Sequence, residues 1–170
     1  MKVFSNILLI FSLFTIIVSC EKKENDALNI SGKLVSHTAC LSPSPESKSE
    51  ADAISGKYSC IGYRFDKSNN KLLINHMNAG FNCCPDSIYC KVAVNNDTIL
   101  IQEFEKSSLC KCNCLYNLNI EINGVIPDKY VIKVIEPYIK DQQLLVFNID
   151  LRDKESGSFC AVRNRYPWGA

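Results

Sequence analysis

Cysteine is the residue type whose number and spacing in this chain could do chemistry. Ten of the 170 residues are Cys, and six of them fall between Phe81 and Cys114. They are Cys83-Cys84, Cys90, and the alternating run Cys110-Lys111-Cys112-Asn113-Cys114. Sulfur at this density serves disulfides, thiolate metal ligation or thiol catalysis, and each use has its own geometry. A thiol oxidoreductase uses C-x-x-C to lower the pKa of one thiolate, and structural zinc uses the same spacing, but no C-x-x-C occurs here. The metal alternative gathers Cys110, Cys112 and Cys114 around Cu(I) or Zn, with Cys83, Cys84 or His76 as the fourth ligand. Along an extended strand, neighbours on one face stand about 6.6 Å apart, so three such sulfurs converge on one ion only if the segment is a tight loop. A Cys–His nucleophile would place His37 or His76 beside a free thiol. There is no phosphate-binding glycine loop, no defensible carboxylate pair, and no basic stripe interleaved with aromatics. The sequence thus points to no catalytic residue and no cofactor.

Disulfides are the expected use, which implies an oxidising compartment. Bridged Cβ atoms lie about 3.5–4.5 Å apart, so Cys110, Cys112 and Cys114 must each reach another strand or loop. Cys83, Cys84 and Cys90 are the nearest partners in sequence. Cys40 and Cys60 flank a Ser- and Pro-rich loop, Leu41 to Lys57, and a Cys40–Cys60 bridge closing that loop is the expected pairing there. Cys160 completes the set of candidates.

The elements that would position these sulfurs are strands. From Cys110 to Ile122 the even positions are Cys110, Cys112, Cys114, Tyr116, Leu118, Ile120 and Ile122, opposed by polar residues with Leu115 the exception. Period two over thirteen residues predicts one strand with a buried face, long enough to require a bulge or bend near Leu115. Shorter strands are predicted near Ile30–His37, Ile61–Phe65, Lys71–Met77, Ile88–Val94, Thr98–Phe104, Tyr130–Ile135, Leu145–Leu151 and Phe159–Val162. Asn95-Asn96-Asp97 supplies a hairpin, because asparagine tolerates the positive φ of a tight turn. No stretch carries a helical stripe with caps. The expected fold is therefore all-β: a disulfide-stapled, immunoglobulin-like or prealbumin-like β-sandwich of about seven to nine strands, forming one domain over 28–170.

Two short segments resemble known families. Met1-Lys2, the apolar run Ile7–Val18, and Ile17-Val18-Ser19-Cys20 resemble a bacterial lipoprotein signal ending in a lipobox. That resemblance implies removal of residues 1–19, acylation of Cys20 (palmitate-type chains), a polar tether over 20–27, and a chain lipid-anchored to a membrane of the bacterial envelope, periplasmic or surface-exposed. Without the leader, whose only charge is Lys2, the chain carries 18 basic and 18 acidic residues. Zero net charge gives no electrostatic case for a nucleic-acid partner. Ile126-Pro127-Asp128-Lys129-Tyr130-Val131-Ile132-Lys133-Val134 is similar to the turn-and-strand of prealbumin-like sandwiches such as carboxypeptidase regulatory-like domains. It implies an architecture and no activity. More generally, the chain resembles the Cys-rich lipoproteins of bacterial envelopes.

The tail Arg163-Asn164-Arg165-Tyr166-Pro167-Trp168 holds the only tryptophan. Arg, Tyr and Trp dominate binding hot spots, so Arg163, Arg165, Tyr166 and Trp168 form a possible binding surface. That surface requires Trp168 to project; the expectation for a large aromatic is that Trp168 folds back and seals one end of the sandwich. The functional expectation is a non-catalytic binding or structural module for an extracytoplasmic protein or glycan, with thiolate metal binding as the alternative.

Overall fold

The computed structural model describes residues 30–41, 54–108 and 110–168. The leader, the lipobox with Cys20, and the tether lie outside the described residues, as does most of the Ser/Pro-rich loop. The described chain is all-β, with no helix and nine strands. These are β1 (Ser31–His37), β2 (Tyr58–Asp66), β3 (Lys71–Asn82), β4 (Pro85–Asn95), β5 (Thr98–Ser108), β6 (Asn113–Asn123), β7 (Lys129–Ile135), β8 (Leu145–Asp150) and β9 (Ser156–Val162). They form a five-stranded sheet, β1-β6-β3-β2-β9, and a four-stranded sheet, β4-β5-β7-β8. All pairings are antiparallel except β5 with β7.

Alternation builds the core between the sheets. Leu72 and Ile74 of β3, Ile120 and Ile122 of β6, Ile99 and Ile101 of β5, and Ile132 and Val134 of β7 join one apolar cluster. A second, smaller cluster holds Ala79, Phe81, Ile88, Tyr116 and Leu118. The hairpin between β4 and β5 turns at Asn96, whose φ of 54° is the left-handed conformation asparagine tolerates.

Strand β6 departs from the expected form in two ways. It begins at Asn113, so Cys110 and Cys112 precede it and only Cys114 lies within it. The expected irregularity near Leu115 sits instead in both neighbours of β6. On β3, Met77 and Asn78 together oppose Asn117, and on β1 the register slips at Val35. Asn78 adopts a φ of 60°, and its side-chain amide donates to the carbonyls of Ile54, Ser55 and Tyr58. The extra residue reverses the phase of β3. Even positions face the core up to His76, and Ala79 and Phe81 face it afterwards. That phase change is why β3 runs on to Asn82, beyond the predicted end at Met77.

Four disulfides join the strands. Cys40 pairs with Cys114, Cys60 with Cys160, Cys83 with Cys112, and Cys84 with Cys110. The expected Cys40–Cys60 bridge is replaced, because the neighbour of β1 is β6, which brings Cys40 to Cys114. Cys60 lies directly opposite Cys160 in the β2–β9 register, their Cα atoms 4.0 Å apart. Asn82 fastens the cysteine-rich end. Its side-chain amide donates to the Cys110 carbonyl, its Oδ1 accepts from Cys84 N–H, and its carbonyl accepts from the Tyr116 hydroxyl.

Candidate functional site

The strands bring two groups of side chains together, one sealed in the interior and one open to solvent. The sealed group lies where β3 passes from the larger apolar cluster to the smaller. His76 occupies a core-facing position two residues after Ile74, and Glu103 does the same two residues after Ile101 on β5. His76 Nδ1 lies 2.7 Å from Glu103 Oε1, and His76 Nε2 lies 2.8 Å from Ser59 Oγ. Ser59 donates to Glu136 Oε1 at 3.0 Å, and Arg163 donates to Glu136 Oε2. All five residues are buried. Two carboxylates, one guanidinium and one imidazole therefore share an interior where an unpaired charge is costly.

The electrostatics decide what this group can do. Burial alone would lower the pKa of His76, but the ion pair and hydrogen bond with Glu103, with Glu136 adding to them, outweigh it and raise the value above the ordinary 6.5. In the charged form both ring nitrogens donate, Nδ1 to Glu103 and Nε2 to Ser59. The Ser59 hydroxyl proton is then directed at Glu136, away from the ring. Ser59, His76 and Glu103 have the spacing of a nucleophile, base and orienting acid. In that charged form the hydrogen bond between the first two runs in the direction opposite to base activation. Glu136 is itself pushed above the usual carboxylate range by burial, against the pull of His76 and Arg163. The arrangement neutralises four charges across two sheets and pins them together.

The predicted site residues fall mostly into structure. Of the disulfide candidates Cys40, Cys60, Cys83, Cys84, Cys90, Cys110, Cys112, Cys114 and Cys160, all but Cys90 are bridged. Cys90 is a free thiol on the core-facing side of β4, opposite Glu103, which offers it no sulfur. Burial and the Glu103 charge push that thiol up to about 11. The thiolate set of the metal alternative is not formed. Cys83, Cys84, Cys110, Cys112 and Cys114 are consumed in bridges, and His76 is held inside by Glu103 and Ser59. Of the suggested binding surface, Arg163 and Trp168 are buried, the guanidinium 5.3 Å from the indole ring. Arg165 and Tyr166 remain on the surface, where Arg165 pairs with Asp141 and the Tyr166 hydroxyl donates to the Asn113 carbonyl.

The open group lies at the seam where β8 of one sheet meets β9 of the other. A groove of about 350 Å³ is walled by Tyr63, Phe147 and Phe159. The rings of Phe147 and Phe159 stack at 5.1 Å and 13°, and Tyr63 lies 6.4 Å from Phe147. Tyr63 covers its cross-strand partner Gly157, where a methyl group would stand 2.8 Å from the phenolic oxygen. Asn148, Asp153, Lys154 and Ser158 line the polar side, while Asp150 is already engaged by Arg152. The three aromatics also pack against the larger apolar cluster, so the groove is an open edge of the core with polar groups beside it, a form that ligand sites share. No family model, curated protein or solved structure matches this chain.

Sequence reasoning missed Ser59, Glu103, Glu136 and the groove. The glutamate carried a signal: Ile99, Ile101 and Glu103 alternate, so the phase that buries the isoleucines buries the acid. The groove had none, since its three aromatics come from strands far apart in the chain.

Proposed function

We propose that this chain is a non-catalytic, disulfide-clamped binding module of the bacterial envelope, anchored through acylated Cys20 and taking a glycan at the β8–β9 seam. Its two sheets would belong to the immunoglobulin-like or prealbumin-like group of sandwiches. The observation that carries the reading is the aromatic wall of Tyr63, Phe147 and Phe159 in one groove with the polar groups Asn148, Asp153, Lys154 and Ser158. Sugar rings present apolar C–H faces, which pack on aromatic rings, and a belt of hydroxyls, which hydrogen-bond to amides, carboxylates and ammonium groups. Four disulfides support an oxidising location, where the bridges also protect an exposed module from proteolysis.

An array of defined oligosaccharides, probed with the oxidised chain and with Tyr63→Ala, tests the site. Saturable retention of one saccharide class by the native chain, lost in the variant, is the expected result. Retention of none, or retention unchanged in the variant, overturns the glycan assignment. Intact mass spectrometry on protein from its native membrane tests the anchor separately.

A further inference from the structure

The outer faces of the two sheets differ in how their charges are arranged. On the five-stranded sheet the exposed Val35, Tyr58 and Val162 are accompanied by polar side chains that are tied to one another. Asn75 donates to Asn119, Asn119 donates to Ser36, and Lys71 pairs with Glu121. On the four-stranded sheet the core-facing positions are Cys90, Val92, Ile99, Ile101, Ile132 and Leu145, so the alternate positions face out. Those outward positions place Tyr89, Leu100, Phe104, Val131, Ile135 and Val146 on one surface. Tyr89 stacks on Phe104 at 5.1 Å, with the Lys91 ammonium 5.5 Å from the Phe104 ring. Tyr89 and Val146 are exposed. The charges on this face are Lys91, Lys106, Lys129 and Lys133 against a single carboxylate, Asp150, which sits at one corner and contacts Lys129 and Arg152.

We propose that this face of β4, β5, β7 and β8 lies against an anionic phospholipid surface. Aliphatic and aromatic side chains ringed by lysines, with no carboxylate in the middle, match the interfacial zone of such a bilayer, where Tyr rings and ammonium groups are both favoured. The other sheet also exposes Tyr58 and Val162, but there Lys71 is already paired with Glu121. The inference rests in part on the anchor proposed above. Ten residue steps from Cys20 to Ile30 reach at most about 36 Å, which keeps the fold within range of the membrane. The β8–β9 seam lies at the far edge of the sheet from β4, so docking in this way leaves the groove open to the side.

The test reconstitutes the full chain in vesicles of phosphatidylcholine, with or without phosphatidylglycerol, and maps lysine acylation by peptide mass spectrometry. Lys91, Lys106 and Lys133 should label several-fold more slowly on the phosphatidylglycerol vesicles than in detergent. High salt should restore their labelling, and Lys33 and Lys67 should not change. The double charge reversal Lys91→Glu with Lys133→Glu, both on the outer face and outside the core, should abolish the protection of Lys106. Equal labelling on both faces, or protection indifferent to lipid charge and salt, overturns the proposal. The intact mass of the same sample counts acyl chains, so a missing anchor is told apart from a face that stays open.

Discussion

Trp168 donates its indole N–H to the Asn78 carbonyl at 2.7 Å, joining residues 90 apart in sequence at the bulge of β3. The indole lies over Gly80, where a methyl group would stand 2.6 Å from ring carbon Cζ2. Only a residue without Cβ lets the ring lie that close to the strand. Gly80→Ala should therefore lift the ring from its seat. As Trp168 is the only tryptophan, intrinsic fluorescence reports this directly: the emission should shift to longer wavelength in Gly80→Ala. Trp168→Ala should lower stability by about 3–5 kcal/mol, read from the denaturant midpoint.

Removing one member of the sealed charge group should cost more than any surface substitution. His76→Gln leaves Glu103 and Glu136 buried with Arg163 as their only cation, a loss of about 3–5 kcal/mol. The double variant His76→Gln with Glu103→Gln should recover part of that loss, because neither residue then buries a charge. Equal stability of the single and double variants in urea would contradict the pairing.

The same group sets the pH dependence. His76 is raised above 6.5 in the fold, so its contribution is complete below pH 6.5 and is lost as pH climbs through the folded value. Glu136 is raised above 4.5 and acts in the same sense, with its contribution greatest below 4.5 and falling as pH rises. Opposing them, Asp66, lowered to about 2 by its bonds with Ser68 and Asn69, contributes above its unfolded value and loses that contribution on acidification. On these three shifts stability should peak between about pH 3.8 and 4.5, where the Asp66 contribution is complete and that of Glu136 is not yet lost, and decline towards pH 9. Thermal melts across that range check the sign, and His76→Gln should flatten the alkaline limb.

The thiol count is a further prediction. Cys90 is raised to about 11, so iodoacetamide at pH 7.5 should leave it unmodified in the folded protein. Unfolding without reductant should expose a single reactive thiol if Cys20 is acylated, and two if it is not.

The bridges should differ in weight. The Cys60–Cys160 bridge closes a separation of 100 residues and Cys84–Cys110 one of 26. The chain-entropy model gives about 4.7 and about 3.5 kcal/mol for loops of those sizes. Replacing Cys60 and Cys160 by serine should lower the urea midpoint more than replacing Cys84 and Cys110.

Much of this fold was legible in the sequence because a strand with one buried face repeats every two residues, and β6 does so from Tyr116 to Ile122. The hairpin at Asn96 was legible for the same kind of local reason. What was not legible is whatever depends on a partner strand. The phase of β3 changes at Asn78 because β6 opposite it has one residue fewer, and nothing near Asn78 in sequence announces that. Cys40 was assigned to Cys60 by proximity along the chain, whereas the sheet order put β6 beside β1. Trp168 folds back as its size suggests, over Gly80, whereas Arg163 reads as a contact residue by type, yet Glu136, far upstream, makes a place for it inside. The phase of Glu103 was visible, but the cation that would meet it was not.

The late chain holds the early chain in place. β9 pairs with β2, Cys160 locks Cys60, Arg163 neutralises Glu136, and Trp168 caps the bulge at Asn78. A chain that emerges N-terminus first would thus display β2 and β3 for as long as it takes the last strand to follow. Closure of the five-stranded sheet would then wait for the end of the chain, and the half-emerged chain, with an unpaired β2 edge and reduced cysteines, is the species that disulfide-forming enzymes would meet.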